Sequence, residues 1–126
     1  MAGPTRVLLV DDDRLFAESV AVTLGRDGRI DVVGIAADGA EAIGLAEQLE
    51  PDLVLMDIAM PGLDGIAATR AIRERSPATR VVMLTASTGR SDEEISGEAG
   101  AIGYLRKSEL SSPRVADALL ALVELT

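Results

Sequence analysis

The chain has no cysteine, no histidine and no tryptophan, and only one tyrosine and one phenylalanine among its 126 residues. Without cysteine, disulfides and thiolate metal sites are excluded. Without histidine, Ser-His and Cys-His catalysis, imidazole ligands and a histidine base are excluded as well. So few aromatic rings leave no platform on which bases could stack. A formal net charge of -9 argues against direct binding of nucleic acid by this chain. No apolar run approaches the ~20 residues of a membrane span. The opening MAGPTR has no apolar signal region, so a cytoplasmic location, away from membranes, is the default expectation. Whatever chemistry this chain performs must run on carboxylates, hydroxyls and amines.

What is present is a folded protein's share of apolar residues, 48%, at the length of one ordinary domain, residues 1–126. The apolar pattern alternates between strand and helix. Short strands are expected at Val7–Val10, Asp31–Ala37, Leu53–Met56, Arg80–Leu84 and Ile102–Leu105. Between them lie helical stretches at Arg14–Leu24, with Phe16, Val20 and Leu24 on one face, at Gly39–Leu49, and at Gly65–Arg75. Ser112-Pro113 gives an N-cap and a first-turn proline for a last helix striped by Val115, Leu119, Leu122 and Val123. Strands alternating with helices predict an α/β fold with a parallel sheet and right-handed crossovers. The length suits the doubly wound form, since a closed barrel takes about 250 residues. Ligands of such sheets bind outside the carboxyl ends of the strands.

The polar residues at those ends are therefore the candidates. The first strand runs into Asp11, Asp12 and Asp13; the third ends in Asp57, the fourth in Thr85, and the fifth leads to Lys107. Helix capping explains one of the three consecutive aspartates but not all three. Two carboxylates ~4 Å apart repel by ~4 kcal/mol at an effective dielectric of 20. Such a cluster must take up a proton or recruit a cation, and hard oxygen ligands favour Mg²⁺. Thr85 alone reads as a β-branched strand residue and Lys107 alone as a surface lysine. Together with an acidic cluster they make a phosphate-handling rim. Carboxylates can act as nucleophiles toward phosphorus, and Asp57, on the central strand, is the best placed.

With these residues the chain resembles the receiver domain of two-component response regulators, over nearly its whole length. The residues that carry the resemblance are V-D-D at Val10–Asp12, D-x-x-M-P-G-x-D-G at Asp57–Gly65, L-T-A at Leu84–Ala86 and G-Y-x-x-K at Gly103–Lys107. "DVVGIAADGAEAI" and "MPGLDGIAATRAI" are most similar to the NarL/FixJ-type subfamily, whose receivers precede a helix-turn-helix output. The resemblance implies a doubly wound (βα)5 flavodoxin-like three-layer fold with a five-stranded parallel sheet in the order 2-1-3-4-5. It implies that Asp57 accepts a phosphoryl group from a sensor histidine kinase. Asp12 would bind Mg²⁺ directly and Asp11 largely through water, with Asp57 and the Ala59 carbonyl completing the protein ligands. Thr85 would hydrogen-bond the phosphoryl group, Lys107 would pair with it, and Tyr104, otherwise a half-buried strand residue, would change rotamer on activation. The changed surface would be the fourth helix, fifth strand and last helix, available for a homodimer or for release of a DNA-binding domain not present in this chain. Asp13 receives no role.

Three rival readings fit less well. A phosphohydrolase with an aspartyl-phosphate intermediate usually wants a second Asp two residues past the nucleophile, where this chain has Ala59. A flavin or nucleotide binder would show G-x-G-x-x-G or G-K-[ST], and neither is present. A degenerate receiver acting only by protein contact would be expected to have lost a site position, and all are filled; a stand-alone receiver stays as the alternative to one joined to a DNA-binding domain.

The segment "SDEEISGEAG", Ser91–Gly100, stands where a fourth helix is expected. Ser91 and Glu94 form a capping box, and Asp92, Glu93 and Glu94 suit the positive end of the dipole. Its body is weak: Ile95 is the only large apolar residue, and Gly97 costs roughly 1 kcal/mol against Ala. Helices this short need packing to persist. Amide hydrogen exchange over 91–100 is therefore expected to be faster than over Val115–Leu122; equal protection would show the helix is not weak.

Overall fold

The computed structural model describes residues 3–60, 62, 64–85 and 97–124. The strands are β1 (Thr5–Val10), β2 (Ile30–Ala36), β3 (Leu53–Asp57), β4 (Arg80–Thr85) and β5 (Gly103–Arg106). Three helices join the first four: α1 (Arg14–Gly25), α2 (Gly39–Leu49) and α3 (Gly65–Arg75). A 3-10 helix (Lys107–Ser111) and the C-terminal helix (Val115–Glu124) close the chain. The strands pair in parallel, as the alternating pattern predicted, in the order β2-β1-β3-β4-β5 that the resemblance implied. The expectation for the fourth helix falls mainly on 91–96, outside the described residues; residues 97–99 are helical.

Two apolar layers sandwich the sheet because successive strand residues point to opposite faces. Val7 and Leu9 of β1, with Leu53 and Leu55 of β3, pack under Val20 and Leu24 of α1 and Leu119 of the C-terminal helix. Leu8 and Val10, with Val54 and Met56, pack under Ala42 and Ala46 of α2 and Ala68 and Ile72 of α3. Strands covered on both sides have no polar face, which is why β3 reads as a continuous apolar run. At α1 the buried face is Ala17, Val20 and Leu24, with Phe16 only half-buried beside it.

Three departures from the sequence reading have local causes. Asp13 does have a role: its side chain caps α1, Oδ1 accepting from the Phe16 amide at 3.1 Å. The 3-10 turn after β5 has no signal in the apolar pattern; the Glu109 side chain accepts from the Arg106 amide at 3.3 Å and buried Leu110 anchors it. That turn displaces the start of the last helix to Val115, although Ser112 Oγ still accepts from the Arg114 amide at 3.2 Å.

Asp38 and Asp64 cap α2 and α3 by accepting from Glu41 and Ala67 amides at 2.8 and 2.9 Å. The entry to α3 also needs a glycine. A Cβ on Gly65 would run into the Asp57 carbonyl oxygen, and the Gly65 amide donates to the Ile58 carbonyl at 3.2 Å. Helix α3 thus starts directly against the residue that ends β3. In contrast, a Cβ on Gly44, inside α2, would meet nothing within 4 Å. Gly65→Ala is expected to destabilise by about 1–3 kcal/mol, whereas Gly44→Ala should stabilise by about 0.5–1 kcal/mol. Chemical denaturation of the pair measures both; equal midpoints would mean that α3 can shift away at no cost.

Candidate functional site

Strand register assembles the polar rim. Val10 of β1 is level with Met56 of β3, so Asp11, one residue on, lies beside Asp57. Asp57 is level with Leu84 of β4, and Thr85 is level with Arg106 of β5. Lys107 therefore stands beyond the level of the carboxylates and must reach back to them, which its long flexible stem permits. Backbone hydrogen bonds carry the sheet pattern past the strand ends: the Asp11 amide donates to the Ala36 carbonyl at 3.0 Å and the Ile58 amide to the Leu84 carbonyl at 3.1 Å. The loop origins of Asp11 and Asp57 are fixed by the same ladder that fixes the core.

Both aspartates are buried, each only 3% exposed, while Asp12 faces solvent. Their surroundings are alike. Asp11 Oδ1 accepts from the Asp13 amide at 2.8 Å, and Asp57 Oδ1 accepts from the Ala59 amide at 3.2 Å. Each carboxylate thus turns one oxygen onto the backbone two residues ahead, an Asx-type turn. The other oxygens face the Lys107 ammonium, Asp57 Oδ2 at 3.0 Å and Asp11 Oδ2 at 2.8 Å. Only the Asp57 contact is aligned as a hydrogen bond. Asp11 Oδ2 pairs with the ammonium by charge alone and has no aligned donor among the described residues.

The electrostatics follow from burial. Desolvation pushes the Asp57 carboxyl above its ordinary 3.8, the Asp11 charge adds to this, and the bond from Lys107 offsets part of it. Burial also works to lower the Lys107 ammonium, but its two carboxylate partners prevail and hold it above the ordinary lysine value. By linkage, the stability tied to Asp57 is full below 3.8 and is lost as pH rises through the raised folded value. For Lys107 it is full below 10.5 and is lost as pH rises from there through the raised folded value. Near neutral pH the ammonium stabilises the fold while the ionised Asp57 opposes it.

Asp11, Asp12 and Asp57 each offer a carboxylate oxygen, all within 4.8 Å of one another. This donor set fits a hard divalent cation: oxygen only, net negative even after Lys107, with a buried Asp11 oxygen lacking an aligned donor. Ala59 contributes its amide to Asp57, and the residue is exposed at the mouth. Thr85 ends β4 and is buried. Tyr104 is not part of the cluster; half-buried, it packs against the core layer under α2 and α3. Gly62, in the loop after Asp57, has a φ of +76°, which suits glycine. Sequence reasoning had no role for Gly65, although its place in the D-x-x-M-P-G-x-D-G motif was a usable signal: a closing glycine at a helix start marks close backbone approach.

A five-stranded doubly wound sheet with two buried aspartates and a lysine at its carboxyl edge has counterparts among known proteins. Residues 7–119 match the response regulator receiver domain. The transcriptional regulatory protein LiaR of Bacillus subtilis is 38% identical over 118 residues, covering 92% of this chain and 54% of that protein. A protein-glutamate methylesterase/protein-glutamine glutaminase of Geobacter sulfurreducens is 42% identical over 109 residues, 85% of this chain and 30% of that enzyme. The chain thus spans about half of the regulator and less than a third of the enzyme. Among solved structures, the signal receiver domain of a Mycobacterium tuberculosis response regulator, NarL, superposes with a TM-score of 0.89 at 34% identity, covering 98% of both chains. The matched residues 7–119 include Asp11, Asp57 and Lys107, and the chain belongs to the response regulator receiver family.

Proposed function

We propose that the chain is a phosphoacceptor switch, receiving a phosphoryl group on Asp57 from a sensor histidine kinase in a Mg²⁺-dependent reaction. The observation that carries this reading is the double hold on Asp57. The Ala59 amide fixes one oxygen and the Lys107 ammonium the other, at the end of a fully buried strand. A nucleophile held this way cannot turn away from an incoming phosphorus. The Asp57 oxygen forms a bond to phosphorus as the bond from phosphorus to the donor nitrogen breaks, and the departing imidazole keeps that electron pair and takes a proton. Asp12, Asp11, Asp57 and the Ala59 carbonyl would hold Mg²⁺. When bound, the cation supplies charge that offsets the phosphoryl oxygens. Lys107 pairs with the new anion, and the Thr85 hydroxyl donates to it.

The phosphoryl carries about -1.5 to -2 charge, replaces the single charge of the Asp57 carboxylate and sits beside buried Asp11. Thr85 and Lys107 meet it only if the segments that carry them, after β4 and after β5, rearrange. Tyr104, three residues before Lys107, is the side chain placed to report that movement. The output surface is then 91–100, β5 and the C-terminal helix, serving a homodimer or a DNA-binding domain, with transcription as the process controlled. The chain has no separate substrate in this reading; it catalyses only its own phosphorylation and dephosphorylation, as one receiver unit over residues 1–126. Among the described residues no helix is long and apolar enough to cross a membrane.

Treatment with Mg²⁺ and a small phosphodonor is expected to add one phosphate by intact mass, and Asp57→Asn to add none; undiminished labelling of that variant would place the acceptor elsewhere. The metal assignment has its own check. Asp12→Ala is expected to weaken Mg²⁺ binding about tenfold or more by calorimetry, while its metal-free melting temperature stays at or above that of the wild type, because one like charge has been removed. Wild-type Mg²⁺ affinity in that variant would remove Asp12 from the ligand set.

A further inference from the structure

Lys107 is the only lysine of the chain and Phe16 its only phenylalanine, and the two meet. The Lys107 ammonium lies 5.2 Å from the centroid of the Phe16 ring, inside the ~6 Å at which a ring face attracts a cation. We infer that Phe16 is a positioning residue that holds Lys107 over Asp57. This deepens the phosphoacceptor reading above and rests on it.

Four observations support the inference. The ammonium has three N–H donors, and among the described residues it meets Asp11 Oδ2, Asp57 Oδ2 and the Phe16 ring. A ring differs from a third carboxylate in attracting the cation without accepting a hydrogen bond at full strength. It fixes where the ammonium sits while leaving a donor for an incoming phosphoryl oxygen. Phe16 is itself held: its amide donates to Asp13 Oδ1 at 3.1 Å, and its ring packs against the core layer under α1. Finally, Phe16, Asp11, Leu84 and Leu110 share the lining of a cavity of only ≈ 10 Å³. That leaves room for no more than one water beneath the ring, so the ring cannot sink away from the ammonium.

Asp13 gains a purpose from the same contact. By capping α1 at Phe16 it sets the height of the ring relative to the site. A bare aliphatic side chain at position 16 would fill the core equally well but would not attract a cation, and the long stem of Lys107 could then settle wholly on Asp11.

The test uses two readouts, of which the first needs no phosphorylation. With ¹³C-lysine the chain gives one set of side-chain signals. In the wild type the Lys107 ε-methylene protons are expected upfield from ring current, and Phe16→Leu should abolish that shift, whereas Phe16→Tyr should retain it. In the second readout, the rate of Mg²⁺-dependent phosphorylation by a small phosphodonor should fall about fivefold in Phe16→Leu. It should recover to within about twofold in Phe16→Tyr. Melting temperatures taken alongside confirm that both variants are folded. An unshifted wild-type ε-methylene overturns the contact. A Phe16→Leu rate equal to wild type, or a Phe16→Tyr rate as low as that of Phe16→Leu, overturns the positioning role. A wild type that takes up no phosphate overturns the phosphoacceptor reading, and with it the positioning role.

Discussion

One ammonium between two buried carboxylates is the contact on which the site's arrangement depends. Asp11 and Asp57 sit side by side because β1 and β3 pair in register, and each is almost wholly removed from water. Isolated buried charges are costly enough that such groups normally neutralise or pair. Here one lysine serves both, and each aspartate also takes a backbone amide from two residues downstream. The compensation is incomplete, as the raised Asp57 carboxyl shows. Close packing around it, including the glycine that brings α3 against the Asp57 carbonyl, keeps the carboxylate from escaping to solvent.

Most of this was legible in the sequence because it depends on period and position. Alternating strand and helix patterns fixed the fold class, and five apolar runs gave five strands to within a residue or two. The candidate residues are polar ones at or just past the ends of β1, β3, β4 and β5, and register explains why they lie on one rim. In a parallel sheet the carboxyl ends of neighbouring strands share an edge, so Asp11, Asp57, Thr85 and Lys107 lie along it. The motif resemblance reached the same residues independently.

The parts that escaped depend on distances no pattern contains. Three consecutive aspartates look alike in sequence, yet Asp11 is buried against Lys107, Asp12 is exposed and Asp13 caps a helix. Capping accounts for one of the three, as charge counting required, but which one depended on where α1 begins. The 3-10 turn after β5 rests on a Glu109 side chain reaching back to the Arg106 amide, a contact with no periodic signature. Phe16 read as a core residue of α1 because helical spacing cannot tell a side chain under the sheet edge from one beside the site. Neighbouring Ala17 took the fully buried position.

The incomplete compensation gives the site its capacity to respond. A ligand shifts an equilibrium only by the difference in its affinity for the two states, and a cluster already satisfied would gain little from binding anything. Asp57 carries a charge that its burial disfavours, and Asp11 keeps an oxygen that, among the described residues, meets the Lys107 ammonium without alignment for a hydrogen bond. Added positive charge therefore relieves a repulsion that the metal-free fold must otherwise bear. On the proposed function a phosphoryl group on Asp57 would do the opposite, adding negative charge beside the Lys107 ammonium. In the proposed phosphorylated state Lys107 would be shared between Asp11 and the phosphoryl group on Asp57, and its geometry would change. Its backbone lies at the junction of β5 and the 3-10 turn, and any such change starts where the chain leads into the C-terminal helix.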